Sequence, residues 1–393
     1  MSSQPISRSA DLKRIVDDGY EVEIRATHLL VSHVPYVDAG RKVQFGVLVS
    51  ELTLAGEVTD KPSDHVVMFS GATPCDSDGE TLKSIIASSE RRDLGAGVVI
   101  DHTFSSKPVG SGKYEDYYEK MTAYANILSG PAESIDPTAT ARTFRVIEEH
   151  EDDSPFRYSD TATARAGINN VAKKLELDRV AIVGLGGTGS YILDLVAKTP
   201  TREIHLFDGD RFLQHNAFRS PGAPTVEDLF GAPTKVVYFA GVYSKMRGNI
   251  VPHPNHVDES NIDELQGMSF VFLALDKGKS KQLLVTKLEE FAIPFIDVGM
   301  GVSEADGALG GIVRVTTSTP DYPAQGRGRI PFSDGGIEND YSQNVQIADL
   351  NALNAALAVI KWKKLFGFYR DLEKKHFSTY TIDGNVMIND DRT

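Results

Sequence analysis

The 393-residue sequence has a single cysteine, Cys75, and 41 basic residues against 55 acidic ones. One cysteine excludes an intrachain disulfide and any zinc site built from several cysteines. The net charge of −14 argues against non-specific binding to nucleic acid or to an anionic membrane, because both require clustered positive charge. We therefore expect neither nucleic acid nor a membrane as a partner.

Long apolar runs are also missing. No segment approaches the roughly 20 apolar residues that cross a bilayer, and the first residues lack the apolar core of a signal peptide. These absences predict a cytoplasmic protein. Hydrophobic residues make up 41% of the sequence and charged residues 24%, as in ordinary globular proteins. At this length two domains are expected, each large enough for its own core.

The amino-terminal part alternates short β-rich runs with turn signals. Runs at 21–31, 43–49, 65–71 and 96–104 are followed by a helical pattern at 114–128. The pattern predicts a small α+β domain over residues 1–150. The acidic segment 148–155 is the candidate linker, because its like charges repel and its proline discourages a continuing helix.

From about residue 160 the pattern changes to alternating strands and helices. The predicted strands are 179–184, 203–208, 269–275 and 294–299, with helices near 188–199 and 279–291. This order predicts a Rossmann-like, mostly parallel sheet covered on both faces, within a domain over 156–393. Residues 341–369 keep apolar residues at helical spacing, which predicts one long buried or interface helix.

The most informative stretch is VAIVGLGGTGS at 180–190. Four apolar residues lead directly into a glycine turn, whose glycines are Gly184, Gly186, Gly187 and Gly189. Strand, glycine turn and helix N-terminus let phosphate oxygens approach the backbone and favour negative charge there. Asp208, at the end of the next strand, has the position of a ribose-hydroxyl acceptor. A nucleotide site is predicted, with close helix–strand packing as the plainer explanation of the glycines.

Further polar residues follow the predicted strands, and they bear on which nucleotide binds. They are Asp210, Asn216, Arg219, Lys235 and Asp276. Such groups converge on the ligand crevice of an open α/β sheet. Arginine and lysine suit phosphate oxygens, and Asp276 could hold magnesium. An enzyme that stabilises charge at an α-phosphate needs this set more than a hydride-transfer enzyme does. The plainer alternatives are a turn-capping Asp210 and a solvated Lys235.

These motifs together carry a resemblance to a known family. GLGGTGS, DGD, NAFR, GAPTK and the strand-end Asp276 resemble the ThiF/MoeB/HesA and ubiquitin-activating enzyme superfamily over about residues 155–370. The resemblance implies an enzyme that uses ATP and Mg²⁺ to adenylate the C-terminal glycine of a ubiquitin-like protein, releasing pyrophosphate. The extra amino-terminal domain suggests recruitment of that protein or of a conjugating enzyme.

The resemblance also implies residue roles. The four glycines would line the phosphates, Asp208 would bind the ribose, and Asp210 would lie near the nucleotide. The residues implied at the triphosphate are Asn216, Arg219 and Lys235. Magnesium would be bound by Asp276.

An arginine from a dimer partner often completes active sites of this superfamily, and it comes from just before the first strand. Arg157 and Arg165 are the candidates here; we favour Arg165 because it begins a helix-like segment, with a plain surface arginine as the alternative. The terminal helix resembles the dimer-facing helix of the family. The resemblance therefore implies a homodimer.

One departure from the family concerns the acyl acceptor. No cysteine lies between residues 156 and 393, and the paired Cys-x-x-Cys zinc motifs are missing. Either the enzyme stops at the acyl-adenylate, or a nucleophile elsewhere takes the acyl group. Cys75 is the candidate, in a polar turn where its thiol could be accessible, although Asp76 and Asp78 would raise its pKa. An incidental cysteine is the plainer reading, and hydroxyl acceptors are too numerous for one to be named.

Other functions stay open on the sequence alone. The glycine turn and Asp208 permit an NAD-dependent oxidoreductase. A catalytically inactive ThiF-like scaffold is a further alternative, against which the retained Arg219, Lys235 and Asp276 count. Four amino-terminal histidines have spacings that match no diagnostic metal site. They are His28, His33, His65 and His102.

Overall fold

The computed structural model describes residues 4–56, 58–108, 110, 112–146, 154–275, 278–324, 328–332 and 345–390. The chain divides into two compact units. The first comprises Met1–Glu151 and Ser159–Ile168, and the second comprises Asp152–Tyr158 and Asn169–Thr393. Residues 148–153 of the predicted linker lie outside the described residues. None of the described helices is long and apolar enough to span a membrane.

The first unit combines an antiparallel sheet with helices. Its helices are α1 (Gln4–Arg8), α2 (Ala10–Asp17), α3 (Tyr117–Ile135) and α4 (Thr161–Ala166). Its strands are β1 (Glu21–Arg25), β2 (His28–Val37), β3 (Val43–Glu51), β4 (Leu54–Ala55), β5 (Val58–Thr59), β6 (Val66–Ser70), β7 (Ile86–Asp93) and β8 (Val99–Ser105). Six of them pair in the order β1-β2-β3-β6-β8-β7, and β4 pairs with β5 alone.

The sequence pattern locates most of this unit but misses some boundaries. The run at 21–31 is two strands, because Ala26, with a φ of 51°, reverses the chain between β1 and β2. Strand β7 gave no apolar signal, since seven of its eight residues are exposed. Helix α3 starts later than predicted, where the Asp116 carboxylate accepts a hydrogen bond from the backbone N–H of Glu119 at 2.8 Å.

The second unit is built around a mixed sheet. Its helices are α5 (Asn169–Ala172), α6 (Gly187–Val196), α7 (Gln214–Ala217), α8 (Val226–Gly231), α9 (Lys235–Tyr243), α10 (Gly278–Glu290) and α11 (Ala348–Leu365). Its strands are β9 (Arg179–Val183), β10 (Glu203–Phe207), β11 (Ile250–His253), β12 (Phe270–Leu273), β13 (Phe295–Ala305), β14 (Ala308–Ser318), β15 (Phe377–Thr381) and β16 (Val386–Asn389). Short 3₁₀ turns occupy Lys173–Leu175 and Ile262–Leu265.

The strand order in this sheet is β11-β10-β9-β12-β13-β14-β15-β16. Strands β9 to β13 are mutually parallel, whereas β14, β15 and β16 pair antiparallel. Alternate residues of β9 enter opposite cores: Val180 and Ile182 pack with residues of α6, α9 and α11, and Ala181 and Val183 pack with residues of α10. The predicted α/β fold class, a mostly parallel sheet with helices on both faces beside a smaller α+β domain, is confirmed.

Two predicted boundaries in this unit are wrong. Strand β13 continues six residues beyond the predicted end at 299, because a two-residue turn at Asp306 and Gly307, both at positive φ, folds β14 back onto it. The helix predicted over 341–369 is shorter. Residues 341–344 lie outside the described residues, Ile347 is extended, and Gly367, with a φ of 72°, follows the last turn of α11.

Candidate functional site

A cavity of about 320 Å³ opens at the carboxyl ends of the parallel strands. Its volume falls within the roughly 300–1,000 Å³ of small-molecule sites. Gly184, Gly186 and Gly187 line it, together with residues that follow β10, β11 and β12, residues within β13, and Asn354 of α11. The crevice at strand carboxyl ends is where open α/β sheets bind ligands.

The glycine turn packs tightly against its neighbours, and part of it also faces the cavity. Gly184 has a φ of 91°, and a Cβ there would overlap the carbonyl oxygen of Ala274. A Cβ on Gly189 would overlap the carbonyl oxygen of Gly184. Gly189 is buried in α6 and does not line the cavity. Helix–strand packing therefore requires Gly184 and Gly189, while Gly184, Gly186 and Gly187 are the members that face the cavity.

Substituting alanine at Gly189 is expected to lower the free energy of unfolding by about 1–3 kcal/mol, because the added methyl must push the turn away from α6. Gly241, in α9, is the matched control, since a Cβ there meets nothing within 4 Å. Gly241→Ala should stabilise by about 0.5–1 kcal/mol through helix propensity. Urea denaturation of both variants measures the two shifts, and equal shifts would show that the turn is not tightly packed.

Two acidic residues and one lysine form the charged centre of the cavity. Asp208 is buried, and one carboxylate oxygen accepts the Leu185 backbone N–H at 2.7 Å while the other accepts that of Asp210 at 2.8 Å. Lys235 is 6% exposed, and its Nζ lies 3.4 Å from Asp208 and 2.7 Å from the Asp210 carboxylate. All three residues line the cavity. The structure thus brings these predicted residues together, and Lys235 is not a solvated surface lysine.

Arg219 and Asn216 come from the same segment but lie differently. Arg219 lines the cavity, and its Nε has no hydrogen-bond partner among the described residues. Asn216 is buried, and its Oδ1 accepts the Leu213 backbone N–H at 2.9 Å, which caps α7. Asn216 is not among the residues that line the cavity. In this structure Asn216 shapes the turn that presents Arg219, which differs from the predicted contact with the triphosphate.

The metal prediction rests on Asp276, which lies outside the described residues. Within the described part of the chain, no group of three or more His, Cys, Asp or Glu side chains could hold a metal ion, the amino-terminal histidines included. Magnesium binding by Asp276 stays a prediction.

Several residues that line the cavity were missed by the sequence reasoning, and three of them carry side chains near the predicted ones or at the β13 strand. They are His256, Met300 and Asn354. His256 follows β11, and its Nε2 lies 3.6 Å from Asp210. The rule that ligands bind at strand carboxyl ends would have found it had β11 been recognised. Met300 lies beyond the predicted end of β13, and Asn354 belongs to a helix that was predicted to be buried or at an interface. Nothing in the sequence therefore indicated that either residue would line the cavity.

The two candidate arginines have different surroundings. The Arg157 backbone N–H donates to the carbonyl of Met246 at 2.9 Å, and its Nε donates to the carbonyl of Ser244. Arg157 is therefore anchored within its own unit. Arg165 lies in α4, and its side chain lies outside the described residues. Its predicted role in a dimer partner stays a prediction.

Cys75 is buried, so the expectation of an accessible thiol is wrong. The residue is 1% exposed, its backbone N–H donates to the Val37 carbonyl at 2.8 Å, and its Sγ lies 3.6 Å from the Thr73 carbonyl oxygen. Burial is the main cause that raises the pKa of the Cys75 thiol, with the charges of Asp76, Asp38 and Glu80 adding to it. A buried thiol with a raised pKa is a poor nucleophile.

We expect Cys75 to react with Ellman's reagent at least about 100-fold more slowly in the native protein than in urea, because access and thiolate fraction are both low. The native protein should also react more slowly than the unfolded protein at pH 9, because burial limits access to the thiol and raises its pKa. Absorbance of the released thionitrobenzoate gives both rates. Rapid reaction of the native protein at pH 7 would restore Cys75 as a candidate acyl acceptor.

Comparison with known proteins agrees with the motifs. Residues 159–333 match the ThiF family, and residues 10–161 match a domain of unknown function named DUF6791. The chain therefore contains a ThiF family domain at residues 159–333. At the level of the family, the match supports the assignment of this domain as a nucleotide-adenylating enzyme that uses ATP. No curated protein matches the sequence.

Several solved structures are similar to part of the chain. One is PaaA, at 17% identity, covering 56% of this chain and 75% of that one, with a TM-score of 0.43. Another is Escherichia coli MccB with AMPCPP and MccA, at 16% identity, covering 59% and 71%, with a TM-score of 0.48. A third is the E. coli tRNA N6-threonylcarbamoyladenosine dehydratase TcdA, at 19% identity, covering 52% and 92%, with a TM-score of 0.40.

Proposed function

We propose that this chain is an ATP-dependent activating enzyme that adenylates the C-terminal glycine of a ubiquitin-like protein, in a cytoplasmic bacterial conjugation or carrier pathway. The observation that carries the proposal is the charged centre of the cavity. Lys235 and Arg219 stand beside the glycine turn, together with Asp208 and Asp210. This is the arrangement that a ribose and a chain of phosphates would need.

The proposed reaction forms one bond and breaks one. A carboxylate oxygen of the terminal glycine attacks the α-phosphorus of ATP, and the bond from that phosphorus to the bridging oxygen of the β-phosphate breaks. The products are an acyl-adenylate and pyrophosphate. Lys235 and Arg219 would stabilise the negative charge that develops on the phosphate oxygens. Magnesium, held by Asp276, would supply further neutralisation when bound.

The state of Lys235 fits this role. Its Nζ forms ion pairs with two carboxylates, one of them buried. Phosphate oxygens entering the cavity would compete for this ammonium group, which is already held in place by burial. Arg219 also offers hydrogen-bond donors, since its Nε has no partner among the described residues. Neither cation has an evident task in hydride transfer, so we do not favour the NAD-dependent alternative.

The assembly belongs to the same proposal. We infer a homodimer in which Arg165 of one protomer completes the other site, with the amino-terminal unit recruiting the ubiquitin-like protein or a conjugating enzyme. Sedimentation of the full chain at micromolar concentration checks the dimer, and a monomer with full activity would contradict it.

ATP–pyrophosphate exchange tests the proposed chemistry. The wild-type chain should exchange labelled pyrophosphate into ATP only when a polypeptide with a free C-terminal glycine is present, and Asp276→Ala should abolish exchange. Tight NADH binding without ATP binding would favour the oxidoreductase. ATP binding without exchange, with wild type indistinguishable from Asp276→Ala, would favour the inactive scaffold. Either result overturns the proposal.

A further inference from the structure

Asn354, in α11, is a buried amide of the cavity lining. The residue has no exposed surface, and it lines the cavity together with Gly299 and Met300 of β13. Its Nδ2 donates to the carbonyl oxygen of Gly299 at 3.0 Å. Its Oδ1 is buried and has no hydrogen-bond partner within the described part of the chain.

The orientation of this amide is fixed by its partner. A carbonyl oxygen can only accept, so the atom of Asn354 that faces Gly299 must be the nitrogen. Asn354 therefore keeps its Oδ1 as an acceptor without a partner, besides the second N–H of its Nδ2. Buried side-chain oxygens are nearly always hydrogen-bonded, and one that is not calls for an explanation such as a ligand.

The two ends of the cavity differ in charge. The charged lining residues, which include Arg219, Lys235 and Asp208, follow β10 and β11. The described lining residues at the β12, β13, α10 and α11 end are all neutral. They are Ala274, Leu275, Ser280, Val298, Gly299, Met300, Gln346 and Asn354. A phosphate would find no cation among them, and its oxygens would repel the Asn354 Oδ1. The Asn354 Oδ1 suits a neutral group that carries an N–H donor.

We propose that Asn354 is a specificity-determining residue whose Oδ1 accepts a hydrogen bond from a backbone N–H of the polypeptide tail that the enzyme activates. This inference rests on the proposed function and adds how the second substrate is recognised. With the ribose beside Asp208 and the phosphates beside the two cations, the tail carboxylate reaches the α-phosphate from the neutral end. The peptide groups just before that carboxylate then pass Asn354.

Amide-to-ester substitution in the tail tests this contact without altering the protein. The probes are synthetic hexapeptides ending in Gly-Gly, in which each of the last three amide bonds is replaced in turn by an ester, which removes one N–H. In peptide-dependent ATP–pyrophosphate exchange, one of these esters should lower the kcat/KM of the wild type at least about 10-fold, because the buried Oδ1 then loses its donor. Equal kcat/KM values for the amide and all three esters would overturn the inference.

The variant Asn354→Leu tests the same contact by changing the protein instead of the peptide. Its kcat/KM for the amide peptide should fall to the value that the wild type gives with the sensitive ester, and the variant should not distinguish ester from amide. Its Kd for ATP, measured by calorimetry, should equal that of the wild type. A Kd raised 10-fold would place Asn354 against the nucleotide and overturn the inference, as would a variant that still discriminates the ester.

The two proposals fail differently. If the wild type exchanges pyrophosphate with these peptides but is indifferent to every ester, only the contact with Asn354 is wrong. If the wild type binds ATP and shows no exchange with any peptide, the activating function itself is wrong, and the inference is overturned with it.

Discussion

Replacing Arg247 with methionine is expected to lower the free energy of unfolding of the carboxyl-terminal unit by at least about 3 kcal/mol. Arg247 has no exposed surface and no carboxylate partner among the described residues; its guanidinium donates to backbone carbonyls instead. The acceptors are Ala197, Thr199, Thr201, Arg202 and Gly248. Four of them lie between α6 and β10, so the side chain ties the end of this helix to the start of the next strand.

Burial of the Arg247 guanidinium is reflected in its lowered pKa. Desolvation by burial lowers the pKa of this guanidinium to about 10, with no carboxylate of the described residues paired to it. The charge is tolerated because several carbonyl dipoles replace the lost water. Methionine would fill similar space but donate nothing, which leaves several buried carbonyls without their donor.

The chain contains a suitable reporter for this measurement. Trp362, the single tryptophan, is fully buried in the second unit, so its fluorescence during urea denaturation follows that unit alone. Arg202→Met is the matched control, since the Arg202 side chain is 56% exposed, and it should change the free energy by no more than about 0.5 kcal/mol. Equal urea midpoints for the two variants would show that the Arg247 contacts contribute nothing.

Lys235→Met is expected to lower the rate of ATP–pyrophosphate exchange by about 10²–10³-fold, the usual cost of removing one preorganised group that stabilises a transition-state charge. The reason is its position, 2.7 Å from the Asp210 carboxylate and buried beside Asp208, in the cavity that the glycine turn lines. Loss of the ammonium group removes a cation and also leaves the buried Asp208 carboxylate without its counter-ion.

Two measurements separate these effects. Exchange rates are compared with those of Lys245→Met, an exposed lysine of the same unit, which should stay within about twofold of wild type. Urea midpoints show how much of the loss comes from unfolding. If folded Lys235→Met retains more than a tenth of the wild-type rate, the lysine is structural and the triphosphate assignment is wrong.

Regular, apolar elements were predictable from the sequence because each repeats one pattern. Strands β9, β10 and β12 are short, buried runs, and they appear close to the predicted positions. Strand β7 and the antiparallel strands β14, β15 and β16 were missed. Their residues are largely exposed or mixed, so backbone pairing holds them in place: β7 pairs with β8, β16 with β15, and β14 with β13 and the distant β15. Only the Asp306-Gly307 turn offered a local signal for the β13–β14 hairpin.

The candidate site divides in the same way. Residues in local motifs, such as Gly184 and Asp208, line the cavity because each directly follows a strand, which fixes it to one edge of the sheet. Asn354 could not be predicted, because a helix residue reaches the cavity only through the packing of α11 against β13. Cys75 was misjudged for a similar reason: its polar neighbours suggested exposure, whereas tertiary packing buries it.

The contact between α6 and α11 also constrains how this protein can diverge. Asn351 lies so close to Gly187 that a Cβ on the glycine would overlap the asparagine amide, and the Asn351 Oδ1 accepts the Thr188 hydroxyl at 2.9 Å. The two helices come from sequence regions about 160 residues apart, yet positions 187 and 351 share one volume. A larger side chain at position 187 is compatible only with a smaller one at 351. Among descendants of this sequence, a substitution that enlarges one of the two side chains must therefore be accompanied by one that reduces the other.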